Sequence, residues 1–348
     1  MPKTTLFLGA GASKAFDYPT TREFVDNLRE VLAEKEKRVL NSFLKTPDVS
    51  DVEHVLQIID TVIDFDSVPY IKKLFRGQAL FSASIEGIGF RWHDFVEICK
   101  RLKEKIISEL HRQYEFDENK LGKIIECYDG LFDSIYFSVP KSMRAKELER
   151  THVFTTNYDS VIEYYCAKKQ IDFTCGFELE RFTRRQFWKP ELFGEYRGLK
   201  LYKLHGSLDW RETNDGRIER VPTEEQVSRA TKRYKRNILI YPAQKEYLSE
   251  EPFRTLMYYF ERVLSAHDTC VIIGFSFRDP YINRIFLEFL RANPKRKLIV
   301  VSPTASRNVE ENLLQGDKKL KKQIICLDML FGEEKTFKEI RNTLANLH

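Results

Sequence analysis

Seven short runs of this chain are apolar almost without interruption, and most of them stop at a glycine or a small polar residue. They are "TTLFLGA" (4–10), "HVFTTN" (152–157), "KLYKLHG" (200–206), "NILIYPA" (237–243), "TCVIIGFS" (269–276), "KLIVVSP" (297–303) and "QIICLDM" (323–329). A strand with one solvated face alternates polar and apolar residues, whereas a strand covered on both faces does not. Helical stretches at 252–266, 279–292 and 305–315 separate the later runs. Strand and helix in alternation predict an α/β fold, a doubly wound, mainly parallel Rossmann-like sheet.

One long segment breaks that alternation. "SDVEHVLQIIDTVIDF" opens with Ser50 and carries Glu53 three residues on, the pattern of a reciprocal helix cap. Val52, Val55, Leu56, Ile59, Val62 and Ile63 then make one apolar stripe. Trp92, Phe95, Val96, Cys99, Leu102, Ile106 and Leu110 make a second. The expected organisation is therefore a first part of the sheet domain at 1–40, a helical insertion at 41–150, and the rest of the sheet domain at 151–348. Residues 175–235 are charged and aromatic, and are expected to be irregular and variable.

Composition narrows the function classes. With 348 residues, 42% hydrophobic and 31% charged, the chain has the make-up of an ordinary folded protein. No apolar run approaches the roughly 18 residues of a membrane span, and "MPKTTLFLG" lacks the features of a signal peptide. A cytoplasmic location without membrane contact is the expectation. The net charge of +5 is small for this length. Basic clusters at 181–189, 229–236 and 318–322 read as solvated surface, and direct nucleic-acid binding is not expected because no known module accompanies them. The six cysteines are far apart, with no Cys-x-x-Cys pair, as for buried reduced thiols.

Four strand ends carry residues suited to chemistry. In "GAGAS", Gly9, Ala10, Gly11 and Ser13 form a turn in which backbone can approach a phosphate closely. A tight β–α turn with no ligand would use the same glycines. In "FTTNYD", Thr156, Asn157 and Asp159 stand where open α/β sheets bind ligands, although Asp159 also suits a helix cap. In "KLHG", His205 ends a strand and is the natural proton acceptor near neutral pH, or else a structural histidine. In "VIIGFSFRDP", Gly274 and Ser276 end another strand, and Asp279-Pro280 opens a helix; Ser302 ends the next strand.

The order "GAGAS", "TTNYD", "LHG", "GFSFRD", "VVSP" resembles the sirtuin-like family of NAD-binding proteins, and more closely its bacterial antiviral-defence branch, whose members destroy NAD. The resemblance covers the sheet at both ends of the chain and not the helical segment in detail. It implies that Gly9, Ala10, Gly11 and Ser13 hold the pyrophosphate, and that Asn157 and Asp159 surround the nicotinamide and its ribose, with Thr156 beside them. It implies that His205 is catalytic, that Gly274 and Ser276 contact phosphate and ribose, and that Ser302 lies at the adenosine end. The implied activity is an NAD glycohydrolase that takes NAD as substrate and uses no metal. The implied setting is a homo-oligomer gated by assembly or by a partner such as a HerA-type ATPase. A protein deacylase or ADP-ribosyltransferase, or a non-catalytic nucleotide-binding subunit, are the alternative readings.

Sirtuin deacylases carry a four-cysteine zinc module shortly after the histidine, and residues 206–237 here contain no cysteine. "FDYPTTREF" offers Pro19 and Phe24 without the full deacylase pattern. Elemental analysis of the purified protein should therefore find no stoichiometric zinc, and chelation should leave the fold intact. Bound zinc lost together with folding would overturn this expectation.

Overall fold

A computed structural model describes residues 4–47, 49, 52–70, 82–85, 88–221, 234–239 and 250–347. The strands in chain order are β1 (Thr4–Leu8), β2 (Ser82–Ile85), β3 (Ile88–Arg91), β4 (His152–Thr155), β5 (Phe173–Thr174), β6 (Phe177–Glu180) and β7 (Arg185–Trp188). They continue as β8 (Leu199–Lys203), β9 (Gly206–Thr213), β10 (Ile218–Arg220), β11 (Tyr234–Leu239), β12 (Thr269–Ile273), β13 (Lys297–Ser302) and β14 (Ile324–Asp328).

Seven strands form the main sheet in the order β14-β13-β12-β1-β4-β8-β5. Every pairing in it is parallel, as the unbroken apolar runs require. From β1 the chain builds outward on one side through β4, then crosses back to lay β12, β13 and β14 on the other side. The direction of winding therefore reverses between β1 and β12. Open sheets of this kind bind ligands at the carboxyl ends of the strands beside such a reversal.

Apolar packing holds the helices on the sheet. In helix Pro280–Ala292 the buried positions Ile282, Ile285, Phe286, Phe289 and Leu290 follow the helical period. Asp279 caps its first turn, accepting from the amides of Tyr281 and Ile282 at 2.8 and 3.1 Å. Phe7, next to last in β1, is fully buried. Its ring meets those of Phe275, Phe286 and Phe260 at centroid distances of 4.9, 5.2 and 5.5 Å. Phe154 of β4 stacks on Tyr202 of β8 at 4.3 Å and extends the aromatic layer across the sheet.

Within 175–235 the described residues differ from expectation, and 222–233 lie outside them. Instead of an irregular region, β6, β7, β9, β10 and β11 form a five-stranded antiparallel sheet in the order β11-β9-β10-β7-β6. The strands are short, and the charges that resembled loop are satisfied across strands: Arg185 pairs with Glu219. The aromatics pack together, with Trp210 fully buried against Phe177 and Trp188 at 5.0 and 5.9 Å. The run at 237–243 belongs in part to this sheet through β11, and its residues 240–243 lie outside the described ones.

The described residues group into two compact units, one of 4–18, 116–239 and 250–347, the other of 19–115. The second unit holds helices Thr21–Val31, Glu34–Lys45, Val52–Ser67 and Trp92–Tyr114 with the β2–β3 hairpin. Both expected stripes are helical, burying Val52, Val55, Leu56 and Ile59 on one helix and Phe95, Cys99, Leu102 and Ile106 on the other. Ser50 lies outside the described residues. Helices Leu121–Ile135 and Lys141–Leu148 group with the sheet.

Truncating Phe7 removes the ring that three aromatic side chains share. Phe7→Ala should cost about 3–5 kcal/mol, read as a lower denaturation midpoint with an unchanged slope in urea. A midpoint within error of the parent would show that the aromatic layer does not anchor the sheet.

Candidate functional site

The carboxyl ends of β1, β4, β8, β12 and β13 place the predicted residues along one edge of the main sheet. At the winding reversal, two backbone turns press directly on each other. Gly9 donates its amide to Ile273 O at 2.8 Å, and Gly11 donates to Gly274 O at 2.9 Å. Gly274 has φ +67°, and a Cβ there would lie 2.2 Å from the Ala12 nitrogen. A Cβ on Gly9 would lie 2.7 Å from Gly274 O, and one on Gly11 2.8 Å from Gly274 Cα. Packing between these turns is thus sufficient reason for all three glycines. Ala10, between them, is exposed.

Ser13, Asn157 and Asp159 meet beside this contact, all buried. Asn157 Nδ2 donates to Gly9 O at 3.0 Å and to Ser13 Oγ at 2.9 Å. Ser13 Oγ donates in turn to Asp159 Oδ2 at 2.6 Å. The other oxygen of Asp159 accepts from the Val161 amide at 3.1 Å, at the start of helix Val161–Lys169. Asn157 Oδ1 is buried with no hydrogen-bond partner among the described residues. A buried acceptor left unpaired costs about 1–3 kcal/mol. Tyr18 is buried nearby, and burial first, then the Asp159 charge, push its hydroxyl well above the ordinary tyrosine range.

His205 sits where the chain leaves the parallel sheet for the antiparallel one. Gly206, at φ +82°, makes that corner. His205 Nε2 lies 3.0 Å from Asp279 Oδ2, and both side chains are about 95% buried, with exposures of 5% and 6%. Asp279, the cap of helix Pro280–Ala292, is the residue that reading the sequence missed. "FRDP" signalled only a helix start, and 74 residues separate it from the histidine.

The remaining predicted residues line the same edge without joining this cluster. Thr156 is half-buried and donates its amide to Leu8 O at 3.1 Å. Ser276 offers its carbonyl to Asn312 Nδ2 at 2.8 Å. Ser302 is buried at the end of β13, where its Oγ accepts from the Thr304 amide at 3.3 Å.

Lys203 was also missed. It ends β8 with a fully buried side chain, an inconspicuous position within "KLYKLHG". Its Nζ donates to Asp159 O at 2.5 Å, Tyr158 O at 3.3 Å and Glu163 Oε1 at 3.1 Å. Arg220 lies 4.0 Å from Glu163 and donates to Asp209 at 2.6 Å. Two cations and two carboxylates thus share a dry region under the Asn157–Asp159 turn. Burial alone would raise the Asp209 carboxyl, but Arg220 and Lys203 hold it below the ordinary range. Burial pushes the neighbouring Cys175 thiol up to about 11, so it stays protonated at neutral pH. Among the described residues no group of three His, Cys, Asp or Glu side chains is arranged to hold a metal ion.

Comparison with known proteins points the same way as the strand-end motifs. Residues 151–322 match the family model of the SIR2-like domain. That SIR2-like stretch includes Thr156, Asn157, Asp159, His205, Gly274, Ser276, Asp279 and Ser302, and leaves out the turn at 9–13. Among solved structures, the chain is similar to a Sir2 homologue in complex with NAD, at 12% identity over 99% of this chain and 91% of the other, with a TM-score of 0.45. It is similar to Sir2Tm bound to a propionylated peptide, at 12% identity over 99% and 93% of the two chains, with a TM-score of 0.44. A likeness of that degree carries no conclusion about chemistry. No curated protein matches the sequence.

The Asp209 carboxyl generates a pH prediction. Its folded-state value lies below that of the unfolded chain, near about 3.9. Its contribution is complete above that pH and is lost as pH falls through the folded value. Asp209→Asn strips Arg220 of its hydrogen-bonded anion, leaving Glu163 at 4.0 Å, and should cost about 3 kcal/mol at pH 7. The deficit should shrink as pH drops below about 4. Denaturant melts at pH 7 and pH 3 check this, and an equal deficit at both would contradict it.

Proposed function

We propose that the chain is an NAD hydrolase that breaks the bond between nicotinamide and ribose. Water supplies the oxygen that bonds to the ribose carbon, nicotinamide leaves with the electron pair of the broken bond, and one proton is released. The observation that carries this reading is Asn157 Oδ1, a buried acceptor lacking a donor, within a cluster of strand-end residues at the winding reversal of a parallel sheet. A ribose hydroxyl, the carboxamide of nicotinamide or a bound water each has the N–H or O–H that this oxygen lacks.

In this reading the turn of Gly9, Ala10, Gly11 and Ser13 takes the pyrophosphate. Gly274 and Ser276 flank it, Ser302 lies toward the adenosine, and Thr156 faces the ribose. Asp159 stabilises the electron-poor sugar as nicotinamide departs, and His205 accepts the proton from water or a ribose hydroxyl. The SIR2-like match over residues 151–322 supports NAD as the substrate class. A constitutive NAD hydrolase would drain its host, so we place this activity in antiphage defence, held in check by self-assembly or by a partner such as a HerA-type ATPase.

One observation favours a second reading, a subunit that binds nucleotide without cleaving it. Asp159 and Ser13 spend their hydrogen bonds on each other and on the helix start. Incubation with NAD separates the two readings, following nicotinamide and ADP-ribose with and without an acyl-lysine peptide. Release of both products without peptide is the expected result. His205→Ala and Asn157→Ala should each lower it by about a hundredfold or more. Binding without turnover favours the second reading, and peptide-dependent release favours a deacylase. Undiminished turnover in a folded His205→Ala protein removes the histidine from the mechanism.

A further inference from the structure

We infer that Asp279 is a positioning residue that fixes the orientation and tautomer of the His205 imidazole; its catalytic consequence rests on the NAD hydrolase reading, while its structural content does not. The two side chains are 3.0 Å apart, Nε2 to Oδ2, and both are buried. Nothing in the local sequence brings them together, since His205 follows β8 and Asp279 follows β12, on opposite sides of β1.

The carboxylate is itself immobilised. Its Oδ1 accepts from the Tyr281 and Ile282 amides at 2.8 and 3.1 Å, so only Oδ2 is directed at the histidine. A carboxylate accepts and does not donate. The neutral imidazole facing it therefore carries its proton on Nε2 and its basic lone pair on Nδ1. Asp279 thus aims the acceptor nitrogen without touching the substrate. Helix Pro280–Ala292 acts as the mount, tied down by Phe286 against Phe7.

Asparagine at this position is a discriminating replacement. It caps a helix about as well as aspartate. With its oxygen kept on the two helix amides, its NH2 faces the histidine and donates to Nε2. The imidazole proton then moves to Nδ1, whose lone pair is no longer there to accept with. The experiment records ring nitrogen shifts of His205 by NMR in the wild type, Asp279→Asn and Asp279→Ser, without NAD, beside kcat and KM for nicotinamide release.

The wild type should show the Nε2–H form at neutral pH. Asp279→Asn should show the Nδ1–H form, with kcat lowered about a hundredfold or more and KM little changed. Asp279→Ser keeps a capping side chain without the carboxylate, so it serves if the asparagine variant does not fold, and should lose the single fixed tautomer. An unchanged Nε2–H signal in a folded variant overturns the inference. A tautomer change in a protein that never cleaves NAD leaves the positioning role standing and removes the hydrolase reading instead.

Discussion

In the sheet unit, two turns pack backbone against backbone. The Gly274 turn lies on residues 9–12 with no space for a side chain on either surface. That contact ties β1 to β12, the pair across which the winding reverses. Because the turns touch, the carboxyl ends of β1, β4 and β12 stay level with one another, and the polar residues that follow them share one edge. A single methyl group at Gly274 would meet both a steric clash and an unfavourable φ, and the edge would separate there.

Around that contact the polar groups form a hierarchy of support. Asn157 and Ser13 hold the first turn, Asp159 holds Ser13, and Lys203 holds the carbonyls of residues 158 and 159 from below. Burying Lys203 and Arg220 with Glu163 and Asp209 is expensive in desolvation, and such groups persist where the charges are mutually paired. The result is a turn whose backbone is fixed by side chains at the carboxyl ends of β1, β4 and β8. A site that must present an acceptor such as Asn157 Oδ1 without reorganisation needs that rigidity.

Much of this arrangement was legible from the chain alone. The apolar runs at 4–10, 152–157, 200–206, 269–276, 297–303 and 323–329 are all strands of the parallel sheet, because burial on both faces leaves an unbroken hydrophobic signature. Their polar ends followed from the same logic, since ligands of open sheets meet strand termini. The antiparallel sheet escaped because its strands are three to eight residues long in places where charge pairs across strands mimic a loop. Asp279 and Lys203 escaped for a different reason, as a helix cap and a strand lysine look ordinary until their partners are known.

What the sequence by itself determined is local: which segments are strands or amphipathic helices, and which small or polar residues end them. These properties depend on periodicity and on backbone freedom, both of which act within a few residues. Tertiary structure alone decided the pairings, because hydrogen bonds such as His205 to Asp279 and contacts such as Gly11 to Gly274 join residues 74 and more positions apart. It also decided what the glycines at 9, 11 and 274 are for. The room each leaves is filled by another turn of the same chain, a use of glycine visible only once the two strands lie side by side.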